Sequence, residues 1–204
     1  GGEAWTFPLL EIEPLDARDT RASAGVDAIL GRLGNFDGAI FISTNAVRAL
    51  LARLAGSGRA WPAGLRCFAI GRATAQCLQD AGIACVSGAA AMDSEELLAH
   101  PALAAAAGQR IVIFKGVGGR ELLARALAGR GAEITECPLY RRRLPAAATR
   151  AALDALLEQH AINVLLLSSA EGLAGLIGLP GGGAAGTIAA DLFLVTPGER
   201  VAAQ

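Results

Sequence analysis

The residues best suited to chemistry in this chain are hydroxyls and backbone amides set beside glycine, rather than metal-binding groups. They concentrate in Ser43-Thr44-Asn45 after the apolar run AIFI, Gly71-Arg72-Ala73-Thr74 after FAI, Lys115-Gly116-Val117-Gly118-Gly119-Arg120 after IVIF, and Ser168-Ser169 after VLLL. Thr196 follows the similar run LFLV. Where such a passage leads from an apolar run into a helical pattern, its N–H groups and hydroxyls make a cradle for an anion without heavy side-chain charge. Ser, Thr and Asn also lead the helix N-cap position, so Ser43-Thr44-Asn45 and Ser168-Ser169 read as caps, ligand contacts or both. The Lys115 loop reads either as a Gly-rich turn or as an anion cradle. It lacks the GxxxxGK(S/T) spacing of a P-loop and the GxGxxG of a dinucleotide site, which disfavours a nucleotide. Tyr140, the only tyrosine, stands next to Arg141-Arg142-Arg143. Its phenol either relays a proton or packs as an amphipathic residue among solvated arginines.

Other chemistries find little support. The cysteines Cys67, Cys77, Cys85 and Cys137 form no CxxC pair, and His100 and His160 lie far apart in the chain. No metal site is expected, redox chemistry is weakly supported, and the thiols read as small buried apolar groups. Asp93, Ser94 and Glu96 read as a helix cap with a box-like partner. The 204 residues carry 18 basic and 19 acidic side chains, a net charge of -1, so no global field holds a nucleic acid. With 53% hydrophobic and 18% charged residues and a mean hydropathy of +0.43, the chain is globular and not disordered. No apolar run approaches a membrane span and no signal peptide opens the chain, so the expected location is the cytoplasm.

The elements that must position these loops follow from hydrophobic period. Short, nearly unbroken apolar runs at 39–43, 68–70, 83–86, 111–114, 164–167 and 192–195 read as buried parallel strands. Helical spacing follows Asn45, Gly71 and Gly119. Alternating strand and helix predicts open parallel sheets with helices on both faces, whose ligands bind beyond the carboxyl ends of the strands.

The chain also compares with itself. GGEAWTFPLLEIEP from Gly1 matches GAEITECPLYRRRLP from Gly131 at a shift of 130, and FDGAIFISTNAVRALL from Phe36 matches AINVLLLSSAEGLAGL from Ala161 at a shift of 125. FAIG from Phe68 falls on FLVT from Phe193 at the same shift. The expected architecture is therefore α/β, with two similar, flavodoxin-like parallel-sheet domains produced by duplication and joined by a two-stranded β linker. Residues 1–14 and 145–204 form one domain, 15–137 the other, and 138–144 the linker strand. The repeat further predicts a parent of roughly 250 residues, with a strand and helix before Gly1 and a last helix after Gln204.

These residues resemble the uroporphyrinogen-III synthase family. The likeness lies in FISTNAV, AIGRATAQCLQDAGI, GGRELLARALAGRGAEITECPLYRR, LLLSSAEGL and FPLLEIEP, and spans nearly the whole chain in the family's order. The resemblance implies two α/β domains, a two-stranded ladder with a cleft beside it, no cofactor, and a monomer. It also implies cyclisation of hydroxymethylbilane to uroporphyrinogen III with loss of water and inversion of the last ring, a step of haem and other tetrapyrrole biosynthesis. The bilane would arrive by possible transfer from hydroxymethylbilane synthase. By the same resemblance Tyr140 matches a cleft tyrosine that helps the hydroxyl depart, Thr74 a recurring threonine, and Ser43 and Ser168 strand-end serines. Glu199 departs from the pattern, since a carboxylate sits badly beside a polycarboxylate substrate. Two other readings share the architecture: a non-catalytic hinged α/β module that closes on a small anion, and a regulatory domain of a larger fusion.

Overall fold

A computed structural model describes residues 2–15, 20–86, 94–118, 121–181, 192–196 and 198. By its contacts the chain divides into one unit of Gly1–Glu11 with Arg142–Gln204 and another of Ile12–Arg141. The larger unit carries β1 (Glu11–Pro14, shared at its start with the smaller), α1 (Thr20–Leu30), a short 3-10 turn (Leu33–Asn35), β2 (Gly38–Phe41), α2 (Thr44–Gly56) and β3 (Arg66–Ala69). It continues with α3 (Arg72–Asp80), α4 (Ser94–Ala99), α5 (Pro101–Ala104), β4 (Arg110–Gly116), α6 (Leu122–Gly129) and β5 (Glu133–Arg143).

The sheet order is β1-β5-β4-β2-β3, and β3, β2, β4 and β5 pair in parallel. Alternation along β4 explains why helices cover both faces. Val112 and Phe114 join one core with Val47 and Leu50 of α2 and Leu78 of α3, while Ile111 and Ile113 join another with Leu97 of α4 and Leu123 and Leu127 of α6. The chain moves outward from β2 to β3 and then returns to the other side of β2 to place β4. The strand order therefore reverses between β2 and β4, the point where open α/β sheets present a crevice to ligands.

Beside β5, Glu11 meets Arg143 at 3.5 Å, Glu13 meets Arg141 at 3.8 Å, and the Leu15 N–H donates to the Leu139 carbonyl at 2.9 Å. One index rises as the other falls, so β1 and β5 run antiparallel.

The smaller unit contains α7 (Arg150–Gln159), β6 (Val164–Leu166), α8 (Ala170–Ile177) and β7 (Phe193–Val195), with β6 and β7 parallel. Its core is Ala148, Leu153, Leu167, Leu173, Leu176 and Leu179, against which Phe7 and Leu9 pack.

Two expectations are corrected. The run at 83–86 forms only an isolated bridge, Val86 to Phe68, so it extends the sheet without making a full strand. The runs of β6 and β7 are not buried: Leu166 and Phe193 are each 71% exposed, because among the described residues their two-stranded sheet has none of the neighbours that enclose β2 and β4. Among the described residues no helix is long and apolar enough to cross a membrane.

Candidate functional site

The reversal point between β2 and β4 gathers Ser43, Gly116 and Tyr140, and each arrives by a local rule. Ser43 leaves β2 with extended backbone (φ -164°, ψ 158°) and caps α2, its Oγ accepting from the Ala46 N–H at 3.2 Å. Tyr140 is delivered by a bulge: Lys115 registers with Pro138 but Gly116 registers with Tyr140, so Leu139 is the extra residue on β5. The ladder tolerates Pro138 because it lies at this irregularity. The bulge also places Leu139 and Tyr140, successive in sequence, in the same core with Cys137. Without it, alternation would send Tyr140 to the opposite face.

The phenol is fully buried, and its oxygen lies 3.0 Å from Ser43 Oγ. The ring passes over Gly116 so closely that a Cβ there would stand 2.7 Å from Cε2 and 2.8 Å from Cζ. The Val117 N–H donates to the Tyr140 carbonyl at 2.8 Å, closing the edge. Gly116 is thus a platform for the ring, and its expected place in an anion cradle gives way to close packing. Ser43, Thr44 and Asn45 remain partly exposed at the α2 N-terminus.

The other expected residues are placed differently. Gly71 caps α3 through its backbone at φ 81°, its carbonyl accepting from Thr74 and Ala75 at 3.1 Å; Arg72 is exposed, but Thr74 is 4% exposed, turned into the core by helical spacing. Lys115 is 6% exposed and its Nζ lies 2.7 Å from Glu136 Oε1, so a carboxylate from β5 already occupies the cation expected to meet a ligand. Gly118 is exposed with φ 75°; Gly119 and Arg120 lie outside the described residues, as do Asp93 and Glu199. In the smaller unit Ser169 caps α8, accepting from the Gly172 N–H at 3.1 Å, while Ser168 is exposed. Thr196 Oγ1 donates to the Gly198 carbonyl at 3.5 Å.

Of the four thiols expected to be buried, Cys67 and Cys137 are, whereas Cys77 and Cys85 are only partly so. All are unpaired, and burial pushes Cys67 and Cys137 up to about 12 and raises Cys85. Among the described residues no group of three or more His, Cys, Asp or Glu is gathered to hold a metal. Glu136 escaped the sequence reading. The signal was its registration with Ile113, two residues before Lys115, which makes it the diagonal cross-strand neighbour.

Fold and site together define a parallel α/β protein whose strand-to-helix loops present neutral donors, with a buried phenol behind a capping serine. The chain belongs to the uroporphyrinogen-III synthase family: the family model described as Uroporphyrinogen-III synthase HemD matches residues 1–204. It is 40% identical over 148 residues to the uroporphyrinogen-III synthase of Salmonella typhimurium and 38% identical over 148 residues to that of Escherichia coli, covering 70% of this chain in each case. The matched region spans 56% of each of those proteins, so the chain accounts for little more than half their length. The synthase of Proteus mirabilis is 33% identical over 143 residues, 70% of this chain and 69% of that protein.

Among solved structures, the Helicobacter pylori uroporphyrinogen-III synthetase superposes with a TM-score of 0.62 at 17% identity, over 95% of this chain and 78% of that one. A mutant Thermus thermophilus uroporphyrinogen III synthase gives 0.57 at 22% identity, over 84% of this chain and 65% of that one. These two share the fold.

Proposed function

We propose that the protein cyclises hydroxymethylbilane to uroporphyrinogen III, losing water and inverting the last ring. The observation that carries the reading is the hydroxyl pair of Ser43 and Tyr140 at the strand-order reversal, in a chain of this family. The bilane is a flexible polycarboxylate that also closes spontaneously without inversion, so an enzyme must enforce one geometry. Backbone N–H groups and hydroxyls suit that task, since they hold carboxylates directionally.

In this reading Ser43, Thr44, Asn45, Gly71, Arg72 and Gly118 of the larger unit hold substrate carboxylates, as do Ser168, Ser169 and Thr196 of the smaller. Gly119 and Arg120, next in sequence after Gly118, are assigned the same part. Lys115 contributes through its ion pair with Glu136, Gly116 and Thr74 support the site from beneath, and Tyr140 supplies the proton for the departing hydroxyl. The strand–helix–strand runs β2-α2-β3 and β6-α8-β7, each with a serine-capped helix, support an origin by duplication. The β1–β5 pairing supports the part of a two-stranded linker for those strands. The protein acts as a cytoplasmic monomer that takes its substrate from hydroxymethylbilane synthase.

The test is to supply freshly made hydroxymethylbilane and separate the I and III isomers of the oxidised product. Excess III isomer over the spontaneous background is the expected result. Only the I isomer, with the bilane still bound, would favour a non-catalytic binding module.

A further inference from the structure

We propose that Ser43 is the outward end of a two-hydroxyl relay whose inner member is Tyr140, and that the serine, rather than the phenol, meets the departing hydroxyl. The inference rests on the reaction proposed above and assigns its proton-transfer path. A fully buried ring cannot touch a substrate that arrives from solvent. Tyr140 is fully buried, whereas Ser43, 3.0 Å from the phenol oxygen, is partly exposed beyond the carboxyl end of β2.

The hydrogen-bond capacity of Ser43 fits the assignment. A serine hydroxyl offers one donor and two acceptor lone pairs. One lone pair takes the Ala46 N–H at 3.2 Å, which fixes the oxygen at the α2 N-terminus. Either hydroxyl of the pair can donate; the relay runs in the arrangement where the second lone pair accepts the Tyr140 O–H, which leaves the serine proton for a group in the crevice. Three features hold the inner hydroxyl in reach: the Leu139 bulge that turns Tyr140 to this face, the bare Gly116 beneath its ring, and the Val117 N–H on its carbonyl. The helix N-terminus stabilises the negative charge left on the pair when the proton departs.

The step balances. As the substrate C–O bond breaks, its electron pair goes to oxygen, which takes the Ser43 proton and leaves as water. Ser43 takes the proton of Tyr140, and the phenolate balances the cation left on the bilane. After ring closure, the ring carbon that still bears hydrogen sheds a proton as the ring regains aromaticity. That proton returns through Ser43 to Tyr140, and the net change is loss of water.

The experiment compares the natural full-length protein with its Ser43→Gly, Ser43→Thr, Tyr140→Phe and Ser43→Gly/Tyr140→Phe variants by isomer-resolved kinetics. Glycine is a tolerated cap, so Ser43→Gly removes the hydroxyl at little cost in folding. We expect kcat to fall about 10²–10⁴-fold in Ser43→Gly with a far smaller change in KM from the lost substrate contact, the threonine variant to recover most of the rate, and the double variant to be no slower than Ser43→Gly. A second readout places 3-fluorotyrosine, a more acidic phenol, at position 140. The alkaline limb of the kcat–pH profile should move to lower pH in the parent and stay in place in Ser43→Gly. Full turnover in Ser43→Gly, or multiplying losses in the double variant, would overturn the relay while leaving the reaction standing. A wild-type protein that makes no excess III isomer would overturn both.

Discussion

At the scale of single residues the decisive fact is how little room surrounds Tyr140. A Cβ at Gly116 would meet ring carbons at 2.7 and 2.8 Å, and the ring is rigid and buried, so it cannot yield as a flexible side chain would. Gly116→Ala should therefore cost about 1–3 kcal/mol through overpacking, read as a lower denaturant midpoint at unchanged m-value. Gly38→Ala, whose Cβ would stand 3.5 Å from the Phe68 ring, makes only ordinary contact and is the control. Equal midpoints for the two variants would mean that Gly116 does not support the ring. The residue types at the site were legible in the sequence, but their roles were less so. Tyr140 stood out because it is unique, yet its burial depends on an extra residue in β5 that no local pattern announces. Lys115 looked available for an anion because Glu136 lies 21 positions away in sequence and reaches it only through strand pairing.

At the scale of elements, hydrophobic period and capping chemistry carried most of the reading. The cores of β2 and β4 and the helices after Ser43 and Gly71 lie where unbroken apolar runs and helical spacing put them. The helix α1 was hidden: its sequence TRASAGVDAIL holds a glycine, three of its six apolar residues are alanine, and Val26 and Leu30 become core only in the cluster that they share with α2, α3 and the sheet. Less visible still was the fastening at the opposite end of the sheet, where Asp37, just before β2, accepts from the Arg110 N–H at 2.8 Å. That backbone donor, then the Arg110 side chain, lowers the Asp37 pKa from its ordinary 3.8. A depressed folded-state pKa gives stability that is present above the unfolded value and lost as pH falls through the folded one. Asp37→Asn should therefore be less stable than the parent near neutrality, with the gap closing below about pH 3.8. Denaturant midpoints over a pH series measure it, and a gap that persists in acid would mean that charge is not what Asp37 contributes.

At the scale of the whole molecule, the two units differ in how much of a core each owns. Both cores of the larger unit are built within Ile12–Arg141, one on each face of a sheet whose central strands are covered on both sides. Among the described residues the smaller unit draws on two separated stretches of chain around one cluster and a two-stranded sheet. Stability follows buried apolar area less the entropy of ordering the chain, so the continuous, two-sided unit should stand alone. A fragment of residues 12–141 is expected to fold and to unfold in a single cooperative transition. Trp61 reports on it directly, since its ring lies 5.8 Å from Phe41 in the core, and Trp5, the second tryptophan, is outside the fragment. Coincident urea transitions by Trp61 fluorescence and far-ultraviolet circular dichroism would establish the unit as an independent domain. A broad, non-coincident melt would show that β1 and β5, which carry the chain between the units, need the smaller unit to hold their register.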